Sequence, residues 1–139
     1  MKPIDVAKAL GVAALILVLD LALAVCTVTV WAWVVSPGHS QAEVSAAAPG
    51  LSTLSTRVFG PLLLLAFVWL FSRRRPERNA FGFAAAVFLL YLVLDGATVA
   101  FRGLYNEAVL ITVILKLIGA VAAATFSRLG RVGGAAAVG

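Results

Sequence analysis

The stretch KALGVAALILVLDLALAVCTVTVWAWVV, Lys8 to Val35, carries one charged side chain after its first residue, the carboxylate of Asp20. A hydrocarbon layer about 30 Å thick is crossed by roughly 20 apolar residues of α-helix. The run is therefore long enough to cross a bilayer with tilt, or to extend past it. An ionised residue near its middle costs at least ~2.5–3.5 kcal/mol on insertion scales unless a partner meets it. The tetrapeptide Leu17-Val18-Leu19-Asp20 recurs as Leu92-Val93-Leu94-Asp95, again inside an apolar run.

Working outward, three further runs suit spanning helices, so that the four lie at about 8–35, 57–72, 80–101 and 108–127. Backbone N–H and C=O groups find no water in lipid, which makes helices of all four. Composition agrees: of 139 residues, 63% are hydrophobic and 12% charged, with a mean hydropathy of +1.07. Globular domains average roughly 45–50% apolar and about 25% charged. The expectation is an all-α integral membrane protein, a single four-helix domain over 1–139. An outer loop is expected over 36–56, and a flexible cytoplasmic tail over 128–139.

The formal charge of +5 does not point to nucleic acid, because the basic residues gather at the ends of apolar runs. With four spans, Lys2, Lys8, Arg73, Arg74, Arg75, Arg78, Arg128 and Arg131 share one side. Arg57 and Arg102 fall on the other, and Lys116 lies within a span. An excess of Lys and Arg marks the cytoplasmic side, which predicts a multi-pass cell-membrane protein with both termini cytoplasmic. A cleavable signal peptide is the competing reading of the first run. Its apolar stretch is far longer than an h-region, and Asp20 interrupts it.

Little chemistry resides in the loops. Ser40 and Glu43 have the spacing of a capping box, which allows a short surface helix over 41–48. Pro61 is expected in the first turn or so of the second span, where it need not kink the helix. The lone Cys26 and lone His39 supply too few ligands for a metal site. No nucleotide loop, Ser–His–Asp set or haem pattern is visible, and no cofactor is expected.

Shifting the chain by 75 residues lays Asp20 on Asp95 and matches Val12, Leu15 and Ala22 to Val87, Leu90 and Ala97. Phe71-Ser72-Arg73 and Phe126-Ser127-Arg128 end the second and fourth spans alike. This pattern is consistent with two parallel helical hairpin repeats about an axis normal to the membrane. Leu, Val and Ala dominate every span, so chance identity is a serious rival.

Asp20, Asp95 and Lys116 all fall well inside the spans, and facing inward Lys116 could pair with either acid. Two acids and one base do not balance. The odd carboxyl is expected to carry a proton or to share water or a cation. Tyr91, Asp95, Thr98 and Arg102 form one stripe of the third span, and Asp20 and Thr27 share a face of the first. Small residues after Lys116, Gly119 to Ala124, suit close helix packing. The candidate substrate or ion site is thus Asp20, Asp95, Lys116, Tyr91, Thr98, Thr27 and Arg102.

The function expected is a small transporter-like or channel-like protein for a proton, ion or small polar solute, acting as a homo-oligomer. The alternative is a non-catalytic subunit or assembly factor whose charges meet a partner membrane subunit. An intramembrane aspartyl protease ranks last, because Lys116 would quench an aspartate dyad. The protein is expected not to be an enzyme.

Overall fold

A computed structural model of the chain describes residues 3–35, 37–38, 40–74, 79–102 and 107–136. Among the described residues, four α-helices make up the fold. Helix α1 runs Pro3–Val30 and continues as a π-helical stretch, Trp31–Val35. Then follow α2, Gln41–Arg73; α3, Ala80–Arg102; and α4, Glu107–Ala136. All four contain segments long and apolar enough to cross a membrane.

Each helix buries one stripe at helical spacing. On α1 it is Ala9, Val12, Ala13, Ile16, Asp20 and Ala24; on α2, Gly60, Leu64, Val68 and Ser72. On α3 it is Ala80, Phe83, Ala84, Val87, Phe88 and Tyr91, and on α4, Lys116, Ala120, Ala123, Ala124 and Ser127. The opposite faces are apolar too: Val18, Leu62, Val93 and Ile118 are more than half exposed. Helices apolar all round suit burial in lipid, whereas such a surface would be an aggregation hazard in water.

Around the bundle, α1 packs on α2 and α3, while α4 packs on α2 and α3. The two hairpins thus lie side by side, α1 beside α3 and α2 beside α4. A two-fold axis cannot bring both like pairs into the edges of one square, so the expected rotation between repeats is replaced by something closer to a translation. The matched serines, Ser72 and Ser127, are both buried near the chain-terminal end.

Close packing has a visible cause at the α2–α4 seam. A Cβ on Gly119 would lie 2.5 Å from the carbonyl oxygen of Pro61, so only glycine fits there. Between lipid-facing helices there is no hydrophobic drive to associate, and such close backbone approach supplies the dispersion contacts instead.

Three expectations are corrected. The loop expected over 36–56 is mostly helix, because α2 begins at Gln41 and runs unbroken for 33 residues. Its start is the capping box: Glu43 N donates to Ser40 Oγ at 3.3 Å, and Ser40 N donates to Glu43 Oε2 at 2.7 Å. From there Ala46 to Ala48 favour helix, and Pro49 is accommodated within it. What remains of the connection turns at Pro37–Gly38, where Gly38 has φ of 96°, a left-handed conformation costly for other residues.

Pro61 therefore sits deep inside α2 rather than in a first turn. It cannot donate to the carbonyl of Arg57 four residues back. Finally, α4 continues past Arg128 to Ala136, so most of the expected tail is helical backbone. Ser36, His39, the arginines at 75 and 78, and the second outer connection at 103–106 lie outside the described residues.

Candidate functional site

The buried stripes of α1, α3 and α4 converge on one ammonium. Lys116 is 1% exposed, and its Nζ lies 3.3 Å from Asp20 Oδ2 and 3.2 Å from Asp95 Oδ2. It also donates to the Tyr91 hydroxyl at 2.6 Å, and that hydroxyl donates to Asp20 Oδ2 at 2.8 Å. Nζ stands 4.5 Å from the centre of the Tyr91 ring, an added cation–π contact. The ammonium thus hydrogen-bonds to Tyr91 and Asp95 on α3 and forms an ion pair with Asp20 on α1.

Helix α2 gives the room for this. A Cβ on Gly60 would lie 2.5 Å from Lys116 Cε, so the lysine stem crosses α2 where that helix has no side chain. With any other residue at position 60 the lysine stem would have to shift from this groove.

The acids are not equivalent. Asp20 is nearly fully buried, while the Asp95 side chain keeps 22% of its surface accessible. Asp20 Oδ2 is committed to Tyr91 and Lys116, and Oδ1 is buried with no hydrogen-bond partner among the described residues. A buried carboxylate oxygen without a donor is costly and rare.

Both acids line a cavity of ≈ 680 Å³ in the half of the bundle that carries the α1–α2 connection. Leu17, Leu21, Val25 and Val28 form its α1 wall. Hydroxyl-bearing residues line other parts: Ser52, Thr53 and Thr56 from α2, Thr98 from α3, and Thr112 from α4. Among the described residues, the charged ones in its lining are Asp20 and Asp95, both acidic. Towards the chain-terminal end the bundle is filled by apolar side chains, among them Ile16, Leu64, Val68, Phe83 and Val87.

Of the residues expected to form the site, Asp20, Tyr91, Asp95 and Lys116 meet. Thr98 lines the cavity, but its hydroxyl donates to Asp95 O of its own helix, at 2.7 Å. Thr27 does not join the cluster: its hydroxyl donates to Leu23 O at 2.8 Å and can accept from the Ser55 hydroxyl, 3.1 Å away, tying α1 to α2 farther along. The side chain of Arg102 lies outside the described residues. Gly60 and Ser55 were not foreseen. The run Leu51-Ser52-Thr53-Leu54-Ser55-Thr56 held the signal for Ser55, since hydroxyls at helical spacing beside an apolar run suit a helix–helix contact.

No family model, curated protein or solved structure matches the chain. Among the described residues no cluster of three or more His, Cys, Asp or Glu side chains could hold a metal ion.

Proposed function

We propose that this is a multi-pass cell-membrane protein with cytoplasmic termini, transporter-like in that Asp20, Asp95 and Lys116 bind a proton, an ion or a small polar solute. The observation that carries the reading is the pairing of two carboxylates with one ammonium at the edge of a cavity, with Asp20 Oδ1 left over. A structural salt bridge needs one acid and one base. The second acid is surplus to that role, and a cavity gives it access to a ligand. The cavity occupies one half of the bundle, and apolar packing closes the other. That asymmetry favours gated transport over an open channel. A four-helix bundle is thin, so passage through the closed half is assigned to a homo-oligomer.

One observation favours the alternative, a non-catalytic subunit. The partly accessible Asp95 could meet a cation on a partner helix. Thermal unfolding of the purified protein in mild detergent, with its stoichiometry measured alongside, separates the two. A cation that binds only the folded state raises the midpoint as its concentration rises. The expected result is a homo-oligomer stabilised by cation or acid, with the response lost in Asp20→Asn. A defined hetero-complex whose midpoint ignores both would replace the proposal by the subunit role.

A further inference from the structure

Resting on the transporter-like reading, we infer that the cavity takes an amphipathic organic monocation, its ammonium on Asp20 Oδ1 and its apolar body along the α1 wall. Three independent features select this class. Charge is the first: among the described residues the charged members of the lining are the two acids, and neither Lys116 nor Arg57 is part of it. With one acid matched by Lys116, a single positive charge completes neutrality, and a dication would exceed it.

Size is the second. Pockets for drug-sized ligands run to about 300–1,000 Å³, and this one measures ≈ 680 Å³. A bare cation would occupy only a corner, and the described residues offer it no cluster of three or more acidic, His or Cys ligands. The third is the character of the walls. Leu17, Leu21, Val25 and Val28 present a continuous apolar strip that starts beside Asp20 on the same helix. A solute polar over its whole surface would lose hydration against them, whereas an alkyl or aryl body gains by contact. The Thr56 and Thr98 hydroxyls, also in the lining, suit a ligand that carries a further hydrogen-bonding group.

Asp20 Oδ1 is the anchor because Oδ2 already serves Tyr91 and Lys116. Asp20 Oδ1 lacks a donor among the described residues and is buried, so a ligand N–H completes its hydrogen bonding after a side-chain rotation that turns this oxygen into the cavity Asp20 lines.

Equilibrium dialysis of the purified protein in detergent tests this with phenethylammonium as the probe. The uncharged isostere 2-phenylethanol corrects for partition into micelles. The parent is expected to bind the ammonium saturably, and hexane-1,6-diammonium at least about tenfold more weakly, because its second ammonium would be desolvated against the apolar strip without a counter-charge. Asp20→Asn, checked for an unchanged elution profile, should weaken phenethylammonium about 10- to 100-fold. Val28→Trp, which leaves every charge in place, should weaken it by filling the apolar wall. Binding of the alcohol as tight as that of the ammonium, or no effect of either folded variant, overturns the inference. Saturable sodium binding without phenethylammonium binding also overturns it, while leaving the transporter-like reading intact. Absence of both, together with a midpoint indifferent to acid, removes that reading as well.

Discussion

At the scale of single residues, the central fact is that Lys116 is shared. Its ammonium meets Asp20, Asp95 and Tyr91 within 3.3 Å, and it is buried from solvent. Lys116→Ala strands two carboxylates, and removing one member of a buried pair costs about 3–5 kcal/mol. We expect that variant to unfold at markedly lower temperature or denaturant. Adding Asp20→Asn should recover part of the loss, because removing both charges is cheaper than stranding one. Simple additivity in that double-mutant cycle would mean the groups do not interact. Tyr91→Phe keeps the ring over Lys116 but deletes the hydroxyl between Lys116 and Asp20. It should cost about 1–3 kcal/mol, read from the same unfolding curves.

Much of this cluster was legible in the sequence, since a charge in the middle of an apolar helix must find a partner. Asp20, Asp95 and Lys116 announced themselves in that way, and Tyr91 followed by lying one turn before Asp95. Thr27 was misplaced for an equally physical reason. It shares a face with Asp20, but seven residues of helix set it roughly 10 Å farther along. Its hydroxyl can also satisfy itself on the carbonyl four residues back, which it does on Leu23.

At the scale of elements, α2 differs most from its sequence reading. Pro37-Gly38 and Pro49-Gly50 look alike as turn signals, yet the chain turns at the first and stays helical through the second. The difference is the Ser40–Glu43 capping box, which starts a helix before Pro49 is reached. Ser40→Ala should cost about 1 kcal/mol of helix stability, detectable as faster amide exchange over the first turns of α2. The glycines give a sharper contrast. Gly119→Ala drives a Cβ into the Pro61 carbonyl and should destabilise by about 1–3 kcal/mol. Gly11→Ala meets nothing within 4 Å and should be neutral or slightly stabilising, by up to about 1 kcal/mol. Equal unfolding midpoints for the two variants would contradict the close α2–α4 seam. The sequence marked Gly119 as a close-packing residue but not its partner, because which backbone it faces depends on how the helices are rotated against each other.

At the scale of the whole molecule, four apolar runs and the clustering of basic residues at their ends defined the helix count in advance, and the four helices have the length and hydropathy to span a membrane. The arrangement of the hairpins was beyond the sequence, since a repeat in register says nothing about rotation or translation between its copies. The proposed orientation has its own check. In a Cys26→Ser background, a cysteine at Ser45 should react with an impermeant thiol reagent in intact cells, and one at Asn79 should not. Labelling at 79 with protection at 45 would reverse the orientation.

The claim that matters most is that the second carboxylate works rather than braces, and ion flux through reconstituted protein tests it directly. Proteoliposomes containing a proton-sensitive dye, placed under an imposed membrane potential, should show faster proton or cation-coupled uptake with the parent than with empty vesicles. Asp20→Asn should keep the folded oligomer and abolish that uptake, because Asn preserves shape and hydrogen bonding but cannot exchange a proton or neutralise a cation. If the parent adds no flux, or if Asp20→Asn and Asp95→Asn both match it, the charges are scaffolding and the account of a binding site is wrong.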